Sequence, residues 1–448
     1  MTKTEEHVAR WIEDLVREVG TAVRERTDAT TARRFEAAYG DTLRRTVQPQ
    51  PDGTAFVVTG DIPAMWLRDS SAQLAPYLHV AGDHAEVADL LVSVNRRQLD
   101  QVARDPYANA FNAGPTGAGH AGDRTEQSPW VWERKYEIDS LCAPLQLAAD
   151  IRRSTGRTDH LDERYRAAAR ATIALWRTEQ DHEARSPYRF ERDDCPPSDT
   201  LVRDGRGAPT AVTGMSWSGF RPSDDACRYG YLVPGNAFAS VVLADVADAA
   251  DAVLGDPDLA REARSLRADL ERGIAEHGVV EVAGHGAIYA SEVDGLGGVL
   301  LMDDANVPSL LSLPYLGWCS SEDPLYLATR AFVLSPDNPT YLVGTAARGL
   351  GSPHTPPDHI WPIGLALEGL TTSDDAERAR LLDTLLATDA GTGSTHESFH
   401  KDDPARFTRE WFSWADAMFC ELVLDVAGLR TAARPTPAPR AVAAGSAS

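Results

Sequence analysis

Three stretches of this 448-residue chain set carboxylates beside aromatic rings. In "SGFRPSDDACRYGYLVPGN" (218–236), Arg221, Ser223, Asp224 and Asp225 crowd together after a Gly-Phe step. Adjacent carboxylates repel, which raises the proton affinity of one of them. A raised pKa is what a general acid needs near neutral pH. A competing structural reading makes Ser223 a helix cap with the two aspartates in the first turn. In "GTGSTHESFHKDDPARFTREWFSWADAMFCELVL" (391–424), Glu397 stands between His396 and Ser398 in a Gly/Ser/Thr-rich segment. Ser394 and Glu397 match a capping box. A helix start at Asp403 and Pro404 instead leaves Glu397 on an open loop. In "GDIPAMWLRDSSAQ" (60–73), Trp66 adjoins Arg68 and Asp69. The ring suits the apolar face of a sugar and the charges suit its hydroxyls, unless the pair serves other charges at a helix start.

Tryptophan extends this map. Trp11 and Trp176 sit in plain helical patterns, whereas the other eight lie in or beside polar, glycine-rich or carboxylate-rich stretches. Such a set is what a saccharide pocket needs. In "DHIWPIGLALEGL" (358–370), His359 and Trp361 precede a proline and an apolar helix, and "LMDDANVPSLLSLPYLG" (301–317) repeats the design with Asp303, Asp304 and Asn306. In "WVWERKYEIDSLCAPLQLA" (130–148), Glu133, Lys135, Glu137 and Asp139 either reach a pocket or form a charged helix entrance. The chain carries no G-x-S-x-G elbow, P-loop lysine motif or H-E-x-x-H. His354 and His359 are five apart among prolines, poor geometry for a metal, so no metal and no cofactor are expected. Paired carboxylates in aromatic loops are the equipment of glycoside hydrolysis.

Most of the positioning elements read as helices. Apolar periodicity predicts them in the first 25 residues, around 31–43, and near 68–82, 84–103, 136–154, 159–179, 234–254, 257–276, 306–314, 322–333, 359–371, 374–388 and 404–428. Strand-like pieces occur at 54–58 and at 278–290, the latter a hairpin turning at Gly284, His285 and Gly286. The pattern describes an all-α chain, for which a closed ring of helix pairs is a suitable architecture, with small β-hairpin additions in loops. A single domain is expected over 1–430, followed by a disordered Pro/Ala/Ser tail at 431–448. The net charge of −23 disfavours nucleic acid and anionic membrane as partners. Five scattered cysteines without a C-x-x-C, and a first segment unlike a signal peptide, point to a cytoplasmic protein, expected to be a monomer.

Four of the quoted segments together, "TGDIPAMWLRDSSAQ", "GFRPSDDACRYGYLVPGN", "HIWPIGLALEGL" and "GTGSTHESFHKDDPARFTREWFSWADAMFCEL", resemble glycoside hydrolase family 125. The similar segments run in order from about 55 to 425, and the loop at 105–127 looks like a family loop beside the pocket. The resemblance implies an (α/α)6 barrel, independence from metals and an exo-acting enzyme. Such an enzyme removes non-reducing terminal α-1,6-linked mannose from oligosaccharides with inversion. It further implies an aspartate general acid at Asp224, with Asp225 as the alternative, and a glutamate general base at Glu397. Trp66, Arg68, Asp69, Arg221, Ser223, Asp225, His359, Trp361 and His396 are then expected to bind substrate. Rival readings are another (α/α)6 α-glycosidase such as an α-glucosidase, a sugar epimerase working through His359 and His396, and a non-catalytic sugar binder.

Overall fold

The computed structural model describes residues 3–431. The tail expected at 431–448 therefore lies, from residue 432 onward, outside the described residues. Short helical turns aside, the helices are α1 (Lys3–Arg24), α2 (Ala29–Asp41), α3 (Leu67–Ala72), α4 (Ala85–Arg104), α5 (Ile138–Thr155) and α6 (Glu163–Glu179). They continue with α7 (Val233–Ala249), α8 (Pro257–His277), α9 (Pro324–Val333), α10 (Pro362–Leu370), α11 (Asp375–Ala387) and α12 (Ser413–Val426).

Burial sorts them into two rings. In α5, α7, α10 and α12 nearly every side chain is buried, as expected of helices that are apolar on all sides. In α8 only one stripe is buried, with Leu259, Ala263, Leu266, Leu270 and Ile274 recurring at three- and four-residue steps. The chain alternates between the two kinds. The outer helices α2, α4, α6, α8, α9 and α11 are each followed by an inner element: α3, α5, α7, the segment 303–317, α10 and α12. Packing of α3 on α5, α5 on α7, α10 on α12 and α12 back on α3 carries the inner ring around. The result is an (α/α)6 barrel, with α1 packed outside on α2. At Gly235 the backbone of α7 comes so close to α5 that a Cβ would lie 2.6 Å from Ile138 Cγ2, so glycine sets that approach.

The fourth inner element departs from the helix expected at 306–314. Residues 305–310 form bends and 311–317 consecutive turns, interrupted by Pro308 and Pro314, which have no N–H to give a helix. The buried Asp303 carboxylate accepts from the backbone N–H of Leu310 at 2.7 Å and of Leu311 at 2.9 Å. Asp303→Ala would strand both donors and is expected to cost roughly 2–4 kcal/mol in a urea denaturation series. A loss below about 0.5 kcal/mol would show that the turns do not depend on it.

Three three-stranded mini-sheets sit where the chain enters the inner helices. Met65–Trp66, Ala110–Phe111 and Val131–Glu133 form one, leading into α3 and α5. Tyr231–Leu232 pairs with Glu292–Val293, which pairs with Val299–Leu300, ahead of α7. His359–Ile360, Ser398–His400 and Asp403–Thr408 form the third, ahead of α10 and α12. The last strand replaces the helix start expected at Asp403 and Pro404, and α12 begins only at Ser413. Pro404 is tolerated there because the strand lies at the sheet edge. The hairpin at 279–282 and 286–289 forms as expected. The helix expected over 68–82 ends at Ala72 and gives way to a tighter 3₁₀ turn at Ala75–His79. Among the described residues no helix is long and apolar enough to cross a membrane.

Candidate active site

The site forms where the inner helices start. Arg68 and Asp69 occupy the first turn of α3, Glu137 and Trp361 are the N-caps of α5 and α10, and Phe412 is the N-cap of α12. Helix N-termini present free N–H groups and a positive dipole end, which suits a cluster of carboxylates. An open pocket of ≈ 680 Å³, mouth included, is lined there by Trp66, Arg68, Asp69, Ser223, Asp224, Trp361 and Glu397. Its wall also holds Thr59, Ile62, Pro222, Asn306, His354, Arg409, Phe412 and Trp414.

Asp224 and Asp225, inseparable in the sequence, are separated by the backbone. Residues 221–225 make a tight turn closed by Arg221 N–H on Asp225 O (2.8 Å) and Asp224 N–H on Arg221 O (2.9 Å). Asp224 takes the left-handed conformation, φ 67°, which aspartate tolerates better than most residues. Asp224 thereby reaches the pocket wall, whereas Asp225 is buried beside it, its Oδ1 3.2 Å from His354 Nδ1. The helix-cap reading of Ser223 fails, because no helix follows it; its Oγ donates to Asp304 Oδ2 at 2.8 Å.

Arg68 lies at the centre of a carboxylate cluster. Its Nη1 donates to Glu137 Oε2 at 2.6 Å and Asp139 Oδ2 at 3.1 Å, while Asp69 and Asp224 lie 3.5 and 3.7 Å from its other nitrogens. Trp414 lies under the guanidinium, 5.3 Å from its ring centroid. Asn109 Nδ2 bridges Glu133, Glu137 and Asp224 at 3.0, 3.4 and 3.3 Å. Lys135 Nζ donates to Asp224 O at 2.7 Å and also pairs with Asp199. Burial pushes the Asp69 carboxyl up to about 6, with the Arg68 charge opposing the rise. Burial also drives Glu137 well above the usual carboxylate range, against the pull of Arg68 and with the charge of Asp224 adding to the rise. Asp224 moves the other way: burial opposes its ionisation, but Lys135, a hydrogen bond from Glu137, Arg68 and His354 together hold it low.

Glu397 belongs to a second group on the same pocket wall. It precedes the strand Ser398–His400, and its Oε1 accepts from Arg409 Nη1 at 3.4 Å. Arg409 is anchored in turn by Asp61 and by Thr59 Oγ1, at 3.2 Å in the latter case. His354 faces both groups. Burial works against its cation, but the hydrogen bond with Asp225 and the charges of Asp224, Asp225 and Glu397 outweigh that and push it up to about 9. Around these charges Trp66, Trp361, Phe412 and Trp414 supply apolar faces. Trp66 Nε1, Trp414 Nε1 and Asp69 Oδ2 are buried without a hydrogen-bond partner in the protein. Indole donors without a partner, and a carboxylate oxygen held only by the 3.5 Å ion pair with Arg68 Nε, fit a polyhydroxylated ligand beside aromatic faces.

Four residues expected to bind substrate stand behind the wall. Arg221 Nε donates to Glu292 Oε1 at 2.5 Å, and Asp225 orients His354. His359 Nδ1 pairs with Ser398 Oγ at 3.1 Å, holding two strands together. His396 stacks on Phe407 at 3.8 Å, and its Nδ1 and Nε2 bond the carbonyls of Glu410 (2.8 Å) and Asp389 (3.1 Å). The pair His359 and His396 is thus occupied structurally and does not reach the pocket. Among the described residues no three His, Cys, Asp or Glu side chains are grouped as a metal ion would need. The sequence reading missed His354, which it weighed only as a metal ligand, and Arg409, whose place depends on strand pairing. Trp414 did carry a signal, as one of the tryptophans in carboxylate-rich stretches.

The chain as a whole matches a known family. The family model of the metal-independent α-mannosidases, glycoside hydrolase family 125, matches residues 28–424. A protein of Schizosaccharomyces pombe, the meiotically up-regulated gene 157 protein, is 38% identical over 422 residues, 89% of this chain and 82% of that protein. A Streptococcus pneumoniae metal-independent α-mannosidase, solved as a non-productive complex with α-1,6-mannobiose, is 50% identical. It superposes with a TM-score of 0.91, over 94% of this chain and 98% of the other. A bacterial glucoamylase solved with acarbose shares the fold alone, with a TM-score of 0.60 at 14% identity, over 92% of this chain and 57% of the other. With its barrel, its aromatic pocket and a match spanning nearly all of the described residues, this chain belongs to glycoside hydrolase family 125, the metal-independent α-mannosidases.

Proposed function

We propose that the protein is an exo-acting α-1,6-mannosidase that hydrolyses terminal mannosides with inversion, Asp224 serving as general acid and Glu397 as general base. The observation that carries this reading is the pocket itself. Two carboxylates, held by separate cations, face one cavity with aromatic walls and orphaned polar atoms, in a chain half identical to a mannosidase solved with α-1,6-mannobiose. Asp224 protonates the glycosidic oxygen as the C1–O bond breaks. Glu397 takes a proton from a water that attacks C1 from the opposite face, through an oxocarbenium-like transition state. Asp69 Oδ2 and the Trp66 N–H supply hydrogen bonds to the mannose hydroxyls, and Arg68 holds Asp69 and Asp224 in place. The same reading places the enzyme in the cytoplasm, where the thiols of Cys142, Cys195, Cys227 and Cys420 stay reduced.

A panel of disaccharides tests the specificity. Hydrolysis of α-1,6-mannobiose should exceed that of α-1,2- and α-1,3-mannobiose and of isomaltose by at least about 100-fold in kcat/KM. Comparable rates on isomaltose would favour an α-glucosidase, and a product altered at C2 would favour an epimerase.

A further inference from the structure

A general acid must arrive at the reaction carrying a proton, yet the surroundings of Asp224 favour its anion. The residue behind it resolves this. Glu137 is buried, whereas the Asp224 side chain is 25% exposed, on the pocket side. Glu137 Oε2 accepts from Arg68 Nη1 at 2.6 Å and from Ser140 Oγ at 2.7 Å. Its Oε1 and Asp224 Oδ1 converge on one donor, Asn109 Nδ2, at 3.4 and 3.3 Å. Both carboxyl oxygens lie within 3.4 Å of that one amide nitrogen, which brings the two groups near enough to share a proton. Two ionised carboxylates that close repel, so the pair favours holding one proton, on Glu137, whose carboxyl is driven up while that of Asp224 is held low.

We infer that Glu137 is a positioning residue that stores the proton Asp224 delivers, so that the acid of the reaction is the pair Glu137–Asp224. The inference rests on the reading of Asp224 as the general acid. A mannoside entering the pocket displaces the water that solvates Asp224 and so weakens its charged form. The Glu137 O–H bond then breaks as the Asp224 O–H bond forms. The negative charge passes to Glu137, where Arg68, Ser140 and Asn109 already donate. Asp224 gives the proton to the glycosidic oxygen, which keeps the electron pair of the broken C1–O bond. Both carboxyls are then ionised until the pair takes a proton from solvent, balancing the one Glu397 removes from water and releases.

Several other charges face the pair. From α3 come Arg68 and Asp69, and from α5 comes Asp139. Lys135, just beyond the strand that ends at Glu133, donates to Asp224 O, Cys227 follows the 221–225 turn, and His354 lines the same pocket as Asp224. His354, pushed up to about 9, also titrates in the alkaline range, so the loss of the pair's single proton is read from the part of the limb that moves when Glu137 is replaced.

In Glu137→Gln the neutral amide no longer opposes ionisation of Asp224 by its negative charge. Asp224, still beside Lys135 and Arg68, then loses its proton at lower pH. The alkaline limb of kcat/KM on α-1,6-mannobiose should move down by about one pH unit or more. At neutral pH kcat should fall at least about 10-fold with KM little changed. Turnover of 2,4-dinitrophenyl α-mannoside, whose leaving group needs no proton, should stay within about 3-fold of wild type. Glu137→Asp, which restores a carboxyl, should return the limb toward its original position. An unmoved limb in Glu137→Gln, or an equal loss on both substrates, overturns the inference. In the wild-type enzyme, infrared difference spectra should show a protonated carboxyl titrating with the alkaline limb; its absence overturns the inference even if the variants do not fold. Asp224→Asn separates the two readings. If it keeps turnover on α-1,6-mannobiose, the assignment of the acid fails. If it loses that substrate alone while Glu137→Gln leaves the limb unmoved, only the stored proton fails.

Discussion

Replacing Glu397 by glutamine should lower kcat on α-1,6-mannobiose about 10³-fold, equivalent to roughly 4 kcal/mol of transition-state stabilisation, with the fold intact. The amide has the size of the carboxylate, and its oxygen can still accept the Arg409 Nη1 hydrogen bond now held by Oε1 at 3.4 Å. What it cannot do is take a proton from water. The loss should therefore fall on kcat, with KM near wild type, and should extend to aryl mannosides with good leaving groups, because water attacks C1 in every case. A melting temperature within a few degrees of wild type would show that the site still assembles. Wild-type turnover in Glu397→Gln would mean that the base lies elsewhere in the pocket.

Asp224→Asn should be comparably damaging on α-1,6-mannobiose, about 10³-fold or more, but selective. Asparagine fits the turn, since it tolerates the left-handed backbone that Asp224 adopts at φ 67°. It has no proton to give the departing oxygen. Turnover of 2,4-dinitrophenyl α-mannoside should stay within about 10-fold of wild type. This contrast distinguishes the acid from the base, whose variant loses both substrates. Asp225→Asn should reduce turnover on the disaccharide by no more than about 10-fold, because Asp225 faces His354 at 3.2 Å and is set back from the cavity. The reverse ranking would move the acid to Asp225.

Chemistry concentrated in a short run of residues is legible in the sequence itself. Trp66, Arg68 and Asp69 are neighbours in sequence, and one helix start delivers Arg68 and Asp69 together to the pocket. Glu397 was visible because a glutamate in a Gly/Ser/Thr-rich run has no helical face to serve. The helical ring followed from the periodicity of segments such as α8, whose buried stripe repeats every three or four residues. Roles that depend on residues far apart were not legible. Glu137 and Asp139 read equally as a charged helix entrance until Arg68, about 70 residues earlier, is seen bonded to both. Arg409 reaches Glu397 only because Asp403–Thr408 pairs with Ser398–His400, where the local Asp-Pro signal favours a helix start. His359 and His396 show the converse. Their type and setting suggested substrate contact, but His359 bonds Ser398 on the neighbouring strand, and His396 bonds the carbonyls of Glu410 and Asp389 in segments outside the strands.

If Asp224 and Glu397 act from opposite faces of the sugar in a single displacement, the stereochemistry of the product is fixed as inverted. Time-resolved proton NMR of α-1,6-mannobiose hydrolysis tests this most directly. The anomeric signal of β-mannose should appear first, and the α-anomer should grow in only as fast as free mannose mutarotates. Initial release of α-mannose would mean retention through a covalent intermediate, and would contradict the assignment of Glu397 as a base acting on water.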